Sequence, residues 1–248
     1  MASNILITGG SRGIGRATAI LAGKRGWNVG VNYVNNAEAA EATVQQVQDA
    51  GGKGISLKGA VEIEQDVVRM FDEMEAQLGK VTAVVINAGI TLPAMPLADM
   101  DISRLRQMFD VNILGAYLCA REAARRMPAS SGGIGGSIVF VSSAAAKLGG
   151  PNEYVDYAGS KGAIDTLTIG LAKELGPKGI RVTAVRPGLI KTDIHATTGD
   201  PGRADRLGAT TPLGRAGEAE EVAEAIIWLS CSASSYVTGT VLDVTGGR

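Results

Sequence analysis

Seven short runs of apolar and β-branched residues alternate along this chain with longer segments of helical period, and few folds accept that order. The runs are 4–8, 27–33, 54–57, 83–87, 137–142, 181–186 and 240–244; the helical segments are 14–24, 37–50, 65–78, 102–127, 157–175 and 220–229. Strands joined through helices lie parallel, because only a long crossover brings the chain back to the same end of a sheet. Right-handed crossovers then give an α/β doubly wound parallel sheet of about seven strands flanked by helices, with its ligand crevice at the carboxyl ends of the strands. A length of 248 residues suits a single domain, 1–248, of this kind.

The first strand runs straight into Thr8-Gly-Gly-Ser-Arg-Gly-Ile-Gly15, which opens the first helix. Glycine lets backbone approach a pyrophosphate, and the free N–H groups of a helix start hold its charge. The loop residues Gly9, Ser11, Arg12, Gly13, Ile14 and Gly15 are therefore read as dinucleotide-binding. The adenosine ribose is read near the end of the second strand, at Asn32-Tyr33-Val34, where no acidic residue stands. A carboxylate there would favour NAD and repel a 2′-phosphate, so its absence permits NADP, with Arg12 as the cationic partner.

Tyr157 and Lys161, four residues apart, project from one face of a helix. An ammonium about 5 Å from a phenol favours the phenolate by roughly 3 kcal/mol at an effective dielectric near 20, or about two pKa units. That shift brings the phenol toward useful acid–base range. With Lys+Arg 24 against Asp+Glu 25 the chain offers no basic field for nucleic acid. No apolar stretch is long enough to span a bilayer and no leader is visible, so a cytoplasmic location is expected. Cys119 and Cys231 are read as buried thiols. A single histidine, His195, without ligand-spaced partners, argues against a metal site and against a Ser-His-Asp hydrolase. Residues 132–136 read as a flexible surface turn, and 195–212, within a span of about 190–215, as a substrate lid.

The glycine spacing, Asn87-Ala88-Gly89, Asn112, Ser143, Tyr157-x-x-x-Lys161 and Pro187-Gly188 occur in the order seen in short-chain dehydrogenases/reductases. The chain resembles that family over essentially its whole length, in particular its glucose-dehydrogenase-like or 3-oxoacyl-reductase-like members. The resemblance implies a Rossmann fold, NADP(H) or NAD(H), hydride transfer between cofactor and an alcohol or carbonyl, no metal, and a homotetramer or dimer. By position it implies Tyr157 as proton donor or acceptor, and Lys161 as the group that lowers its pKa and holds the nicotinamide ribose. Ser143 would bind the substrate oxygen, and Asn112 would link Lys161 to solvent through a helix kink. Ser143 is preferred to Ser142 because the family serine precedes its tyrosine by about thirteen residues, and one extra residue within 150–156 accounts for the fourteen here. Asn87, Ala88 and Gly89 would line the cofactor cleft, Val61 the adenine pocket, and Pro187, Gly188, Ile190 and Thr192 the carboxamide loop.

Three positions depart from the family's pattern: Lys58-Gly-Ala60-Val61 lacks an acidic residue ahead of the adenine pocket, Val34 replaces an arginine common in NADP-preferring relatives, and Thr183 replaces an asparagine. NADP(H) is the expected cofactor, with NAD(H) the rival; a non-catalytic nucleotide-binding protein is the alternative from another class. The helix 157–175 carries Ile164, Leu167 and Leu171 in one row and Ala158, Gly162 and Ile169 in another, which suits its own sheet plus a second copy of the chain.

Overall fold

The structure is a computed structural model that describes residues 3–192 and 202–248. Its main sheet has seven parallel strands: β1 (Asn4–Ile7), β2 (Asn28–Tyr33), β3 (Lys53–Lys58), β4 (Ala83–Ile86), β5 (Gly136–Val141), β6 (Ile180–Pro187) and, after the pair named below, β9 (Val241–Val244). The order β3-β2-β1-β4-β5-β6-β9 reverses direction between β1 and β4, and a crevice opens at such a switch point. A second pair, β7 (Ile190–Lys191) with β8 (Gly217–Glu218), ties together the two ends of the segment that contains 193–201. His195 lies outside the described residues, as does part of the expected lid; in the described part of the lid, Arg203–Gly208 forms a short helix.

Side chains alternate between two apolar layers, as the strand period demands. Leu6, Val84, Ile86, Ile138 and Phe140 face the layer of α3 (Glu64–Leu78), α5 (Gly115–Arg126) and α7 (Val155–Leu175). Ile5, Ile7, Val29, Val31, Val85 and Val139 face that of α1 (Gly13–Lys24), α2 (Ala37–Asp49) and α9 (Ala219–Ser230). Each such fully buried aliphatic or Phe side chain contributes about 1.5–3 kcal/mol. Every strand read from the sequence is present, with ends moved by one residue.

The helix expected over 102–127 is interrupted at Asn112, where the resemblance implies a kink. It comprises α4 (Ile102–Phe109), a π turn at Asp110–Leu114 and α5. Residues 132–136 are not a loose turn: a Cβ on Gly133 would lie 2.1 Å from the Met127 carbonyl oxygen, so glycine is needed for close backbone packing. Cys119 is fully buried and its thiol is pushed up to about 12 by that burial, whereas Cys231 is only half-buried. Ala158, expected on an outward row, is in the core, while Ile169 is exposed.

Candidate active site

The glycine loop between β1 and α1 is shaped by close contact. A Cβ on Gly15 would lie 2.3 Å from the Gly9 carbonyl oxygen. Helix α1 begins after Arg12 with no capping side chain and no acidic residue in its first turn, so no side chain of the cap offsets the partial positive charge of its start. Arg12 is exposed in extended backbone, and Ser11, Gly13 and Ile14 are half-buried beside it. The methyl of Thr192, which follows β7, would stand 3.4 Å from a Cβ on Gly13, so the end of β7 reaches the glycine loop.

Two asparagines expected to face the cofactor turn inward instead. Asn32 is 1% exposed; its Oδ1 accepts from Gly9 N–H at 3.0 Å and its Nδ2 donates to the carbonyls of Leu57 at 3.2 Å and Gly59 at 2.9 Å. A buried amide must satisfy its polar atoms, and here the loop and neighbouring strand do so. Its side chain therefore holds the loop and has no donor left for a ribose. The Asn87 Nδ2 donates to the carbonyls of Thr8 at 2.9 Å and Gly9 at 3.0 Å, and Thr8 Oγ1 accepts from the N–H groups of Asn87 and Ala88. Tyr33 is half-buried at the end of β2. Val61 is buried against Gly115 at the start of α5. Next to it stands a carboxylate the sequence reading overlooked: Asp66, from the first turn of α3, accepts from Ala60 N–H at 2.9 Å. That backbone hydrogen bond, foremost, holds its pKa below the usual carboxylate range.

At the carboxyl end of β5, successive residues point to opposite sides. Ser142 is buried and its Oγ donates to the Lys161 carbonyl at 3.2 Å, whereas Ser143 Oγ accepts from Ala145 N–H at 3.1 Å and lies on the side of Tyr157, whose pKa it acts to lower. Lys161 lies one turn along α7, with Nζ 5.7 Å from the Tyr157 ring centroid. Asn112 sits in the π turn, where its Oδ1 accepts from Ile90 N–H at 2.8 Å and its Nδ2 donates to Ile90 O at 3.0 Å and Ser160 Oγ at 3.1 Å. The extra residue of such a turn widens the helix and aims a side chain that a regular helix would turn away. A Cβ on Gly89 would lie 3.2 Å from Asn112 Oδ1 and 3.4 Å from Lys161 Nζ, so these three residues converge. Pro187 and Gly188 close the site from β6: Ala144 N–H donates to Pro187 O at 2.9 Å, and Gly188 N–H to Val244 O at 2.9 Å. Ile190 is buried in β7.

The electrostatics differ from the sequence expectation. Burial pushes the Tyr157 phenol up, with the Ser143 hydrogen bond opposing it. Lys161 is itself disfavoured as a cation: its Nζ donates to Val141 O at 2.8 Å and its pKa is depressed to about 8, mainly by burial and partly offset by Asp165. Coulomb attraction between two groups counts for less when desolvation disfavours both charges.

Among the described residues no group of three or more His, Cys, Asp or Glu side chains is placed to hold a metal ion, and no helix is long and apolar enough to cross a membrane. Residues 9–248 match a family model described as enoyl-(acyl carrier protein) reductase. The chain is 48% identical over 243 residues to the uncharacterized oxidoreductase YgfF of Escherichia coli, covering 98% of each. It is 37% identical over 244 residues to an L-rhamnose 1-dehydrogenase (NAD(P)(+)) of a Sphingomonas species, covering 98% of this chain and 94% of the relative. A crystal structure of a short-chain type dehydrogenase/reductase from Mycobacterium marinum superposes with a TM-score of 0.88 at 32% identity, over 98% of this chain and 94% of that one. The likeness to these proteins thus runs along nearly the whole chain, and the chain belongs to the short-chain dehydrogenase/reductase family, the nicotinamide-dependent oxidoreductases.

Proposed function

We propose that the chain is an NADP(H)-preferring oxidoreductase that interconverts a hydroxyl and a carbonyl group, with Asn112, Ser143, Tyr157 and Lys161 as its working side chains. The observation that carries this reading is the convergence of Ser143, Tyr157 and Lys161 at the end of β5, with Lys161 Nζ 5.7 Å from the Tyr157 ring centroid and the Ser143 side chain near enough to oppose the upward shift of the phenol. In the direction of reduction, Ser143 and Tyr157 donate to the substrate oxygen and orient its carbon. As negative charge develops on that oxygen, Tyr157 delivers its proton, and the Lys161 ammonium stabilises the phenolate left behind. Asn112 holds the Gly89–Ile90 turn against α7.

The residues present fit a nicotinamide dinucleotide: the Gly9–Gly15 cradle and the open start of α1 suit its phosphates, with Ala88, Gly89, Pro187, Gly188, Ile190, Thr192, Tyr157 and Lys161 around the nicotinamide half. When bound, that group supplies or takes up the hydride. Preference for NADP(H) over NAD(H) is supported by the exposed Arg12 beside α1 and by the absence of a carboxylate at Tyr33-Val34. Fluorescence titration is expected to give NADPH at least about tenfold tighter than NADH, the worth of one charge-assisted contact, with Arg12→Ala removing most of that difference. Tighter NADH binding would overturn the preference. Turnover is to be sought by NADPH absorbance on a panel of sugars, cyclic alcohols, acyl thioesters and small ketones; a full panel without turnover counts against the enzyme reading.

Assembly with further copies is part of the same proposal. Ile169 of α7, and Phe109, Leu114 and Tyr117 along the neighbouring α4–α5 segment, are exposed apolar residues of a kind that a second copy covers. Light scattering at micromolar concentration is expected to give a tetramer, or a dimer; a monomer mass would contradict it.

A further inference from the structure

Arg104, Met108 and Asn112 follow one another at intervals of four and are all buried, although two of them are polar. Opposite them on α7 stand Asp156, Ser160 and Ile164, also four apart and buried. Two polar rungs join the rows. In one, Arg104 Nε donates to Asp156 Oδ2 at 2.9 Å; in the other, Asn112 Nδ2 donates to Ser160 Oγ at 3.1 Å. Both rungs end on Tyr157. Asp156 Oδ1 accepts from Tyr157 N–H at 2.9 Å, and Ser160 Oγ donates to Tyr157 O at 2.7 Å. Arg104 Nη1 also donates to Pro93 O at 2.7 Å, and Met95 N–H donates to Glu153 O at 3.0 Å, so the irregular segment following Gly89 is held to the same helix start. The residue at the α7 N-cap position, Tyr154, makes no side-chain cap.

We propose that Arg104 and Asp156 are positioning residues for Tyr157: their buried ion pair fixes the rotation of the first turn of α7 and hence where the phenol meets Ser143. The proposal rests on the reading of Tyr157 as the acid–base group. Stability does not account for the pair. Arg104 Nη2 is buried without a hydrogen-bond partner among the described residues, and apolar residues of similar volume commonly replace a buried pair without loss. What such residues cannot supply is direction, since a carboxylate gripped on both oxygens, by Arg104 and by the Tyr157 N–H, allows one orientation.

The test uses the full-length double variant Arg104→Met/Asp156→Leu, which removes one charge of each sign, and the single variant Arg104→Lys, which keeps the charge opposite Asp156 but not the fork to Pro93. Five quantities are read: thermal midpoint, NADPH affinity, kcat and KM on the best substrate of the panel, and the alkaline tyrosinate absorbance of Tyr157 taken as the difference from Tyr157→Phe in each background. The double variant is expected to keep its midpoint and NADPH affinity while kcat falls about a hundredfold at near-constant KM, as for an ångström's misplacement. Its Tyr157 titration moves upward as the Ser143 contact loosens; Lys161, and Asp165 behind it, are the charged groups left facing that ring. Arg104→Lys is expected to fall between the double variant and wild type, losing about threefold to tenfold in kcat with its midpoint unchanged. A folded double variant with kcat and tyrosine titration both unchanged overturns the proposal. If the double variant does not fold, Arg104→Lys decides: a wild-type kcat refutes the positioning role, and a loss of about threefold or more with an unchanged midpoint supports it. Should the wild type turn over nothing in the panel, the proposed function fails, and the tyrosinate titration still decides the pair: a shift supports it, none refutes it.

Discussion

Tyr157→Phe is expected to lower kcat by about a thousandfold, or about 4 kcal/mol of transition-state stabilisation, with NADPH affinity within about twofold of wild type. The substitution removes one oxygen and leaves the ring volume in place. Ser143 keeps its acceptor role toward Ala145 N–H, so no buried polar atom is stranded and the thermal midpoint should hardly move. The pH dependence follows from the direction of the phenol's shift. Burial raises the Tyr157 pKa, so the group stays protonated through the neutral range and is an acid ready to serve carbonyl reduction. Oxidation of an alcohol needs the phenolate, so its rate should rise with pH, and the wild-type rise should be absent from the variant. Single-substrate assays in both directions from pH 6 to 10 check this. Turnover in Tyr157→Phe within about tenfold of wild type would remove Tyr157 from the mechanism.

The strands were legible because residues buried on both faces leave unbroken buried runs rich in β-branched residues, such as Val139 to Val141 or Val182 to Val185. The phosphate loop was legible because strand, glycine spacing and helix are contiguous. What sequence could not show is direction. Asn32 and Asn87 stand at strand ends facing the crevice, where a polar residue suggests a ligand, yet both amides turn back to brace the loop. The π turn has no local pattern of its own beyond a helix that carries Asn112 in mid-course. Ser142 and Ser143 are chemically alike, and only the strand's two-residue period, carried into the loop, assigns one to the Lys161 carbonyl and the other to Tyr157. Arg104 and Asp156 are separated by 52 residues, and nothing in either neighbourhood points to the other. The phenol's upward shift was missed for a different reason. Tyr–Lys attraction can be estimated from spacing, whereas the opposing desolvation depends on packing from β5, the π turn and α7 together.

Lys161→Met is expected to abolish turnover while making the protein more stable at neutral pH. The side chain is 5% exposed and its pKa falls from 10.5 to about 8. Between those two values the unfolded chain binds a proton that the folded chain does not, so stability rises with pH across that window. Below pH 8 the full penalty is present, about 3 kcal/mol for a shift of this size; above 10.5 it is gone. Methionine has a similar volume and no charge, so it escapes the penalty but leaves the Val141 carbonyl without its 2.8 Å donor, a loss of about 1 kcal/mol. The net gain is therefore about 2 kcal/mol at pH 7, or about 4–8 °C in Tm for a chain of this length. That gain should shrink steadily as pH is raised from 8 to 10, because only the wild type improves there. Denaturant or thermal unfolding of both proteins at pH 7 and 9.5 measures it, with kcat and NADPH affinity taken at pH 7. A variant less stable than wild type at pH 7, or a difference that does not change with pH, would show that Lys161 is not a strained buried cation. Retained turnover would show that the charge is not needed for chemistry. If both expectations hold, the site keeps an ammonium next to the phenol against the preference of the fold, and the reason is the phenolate formed when Tyr157 gives up its proton.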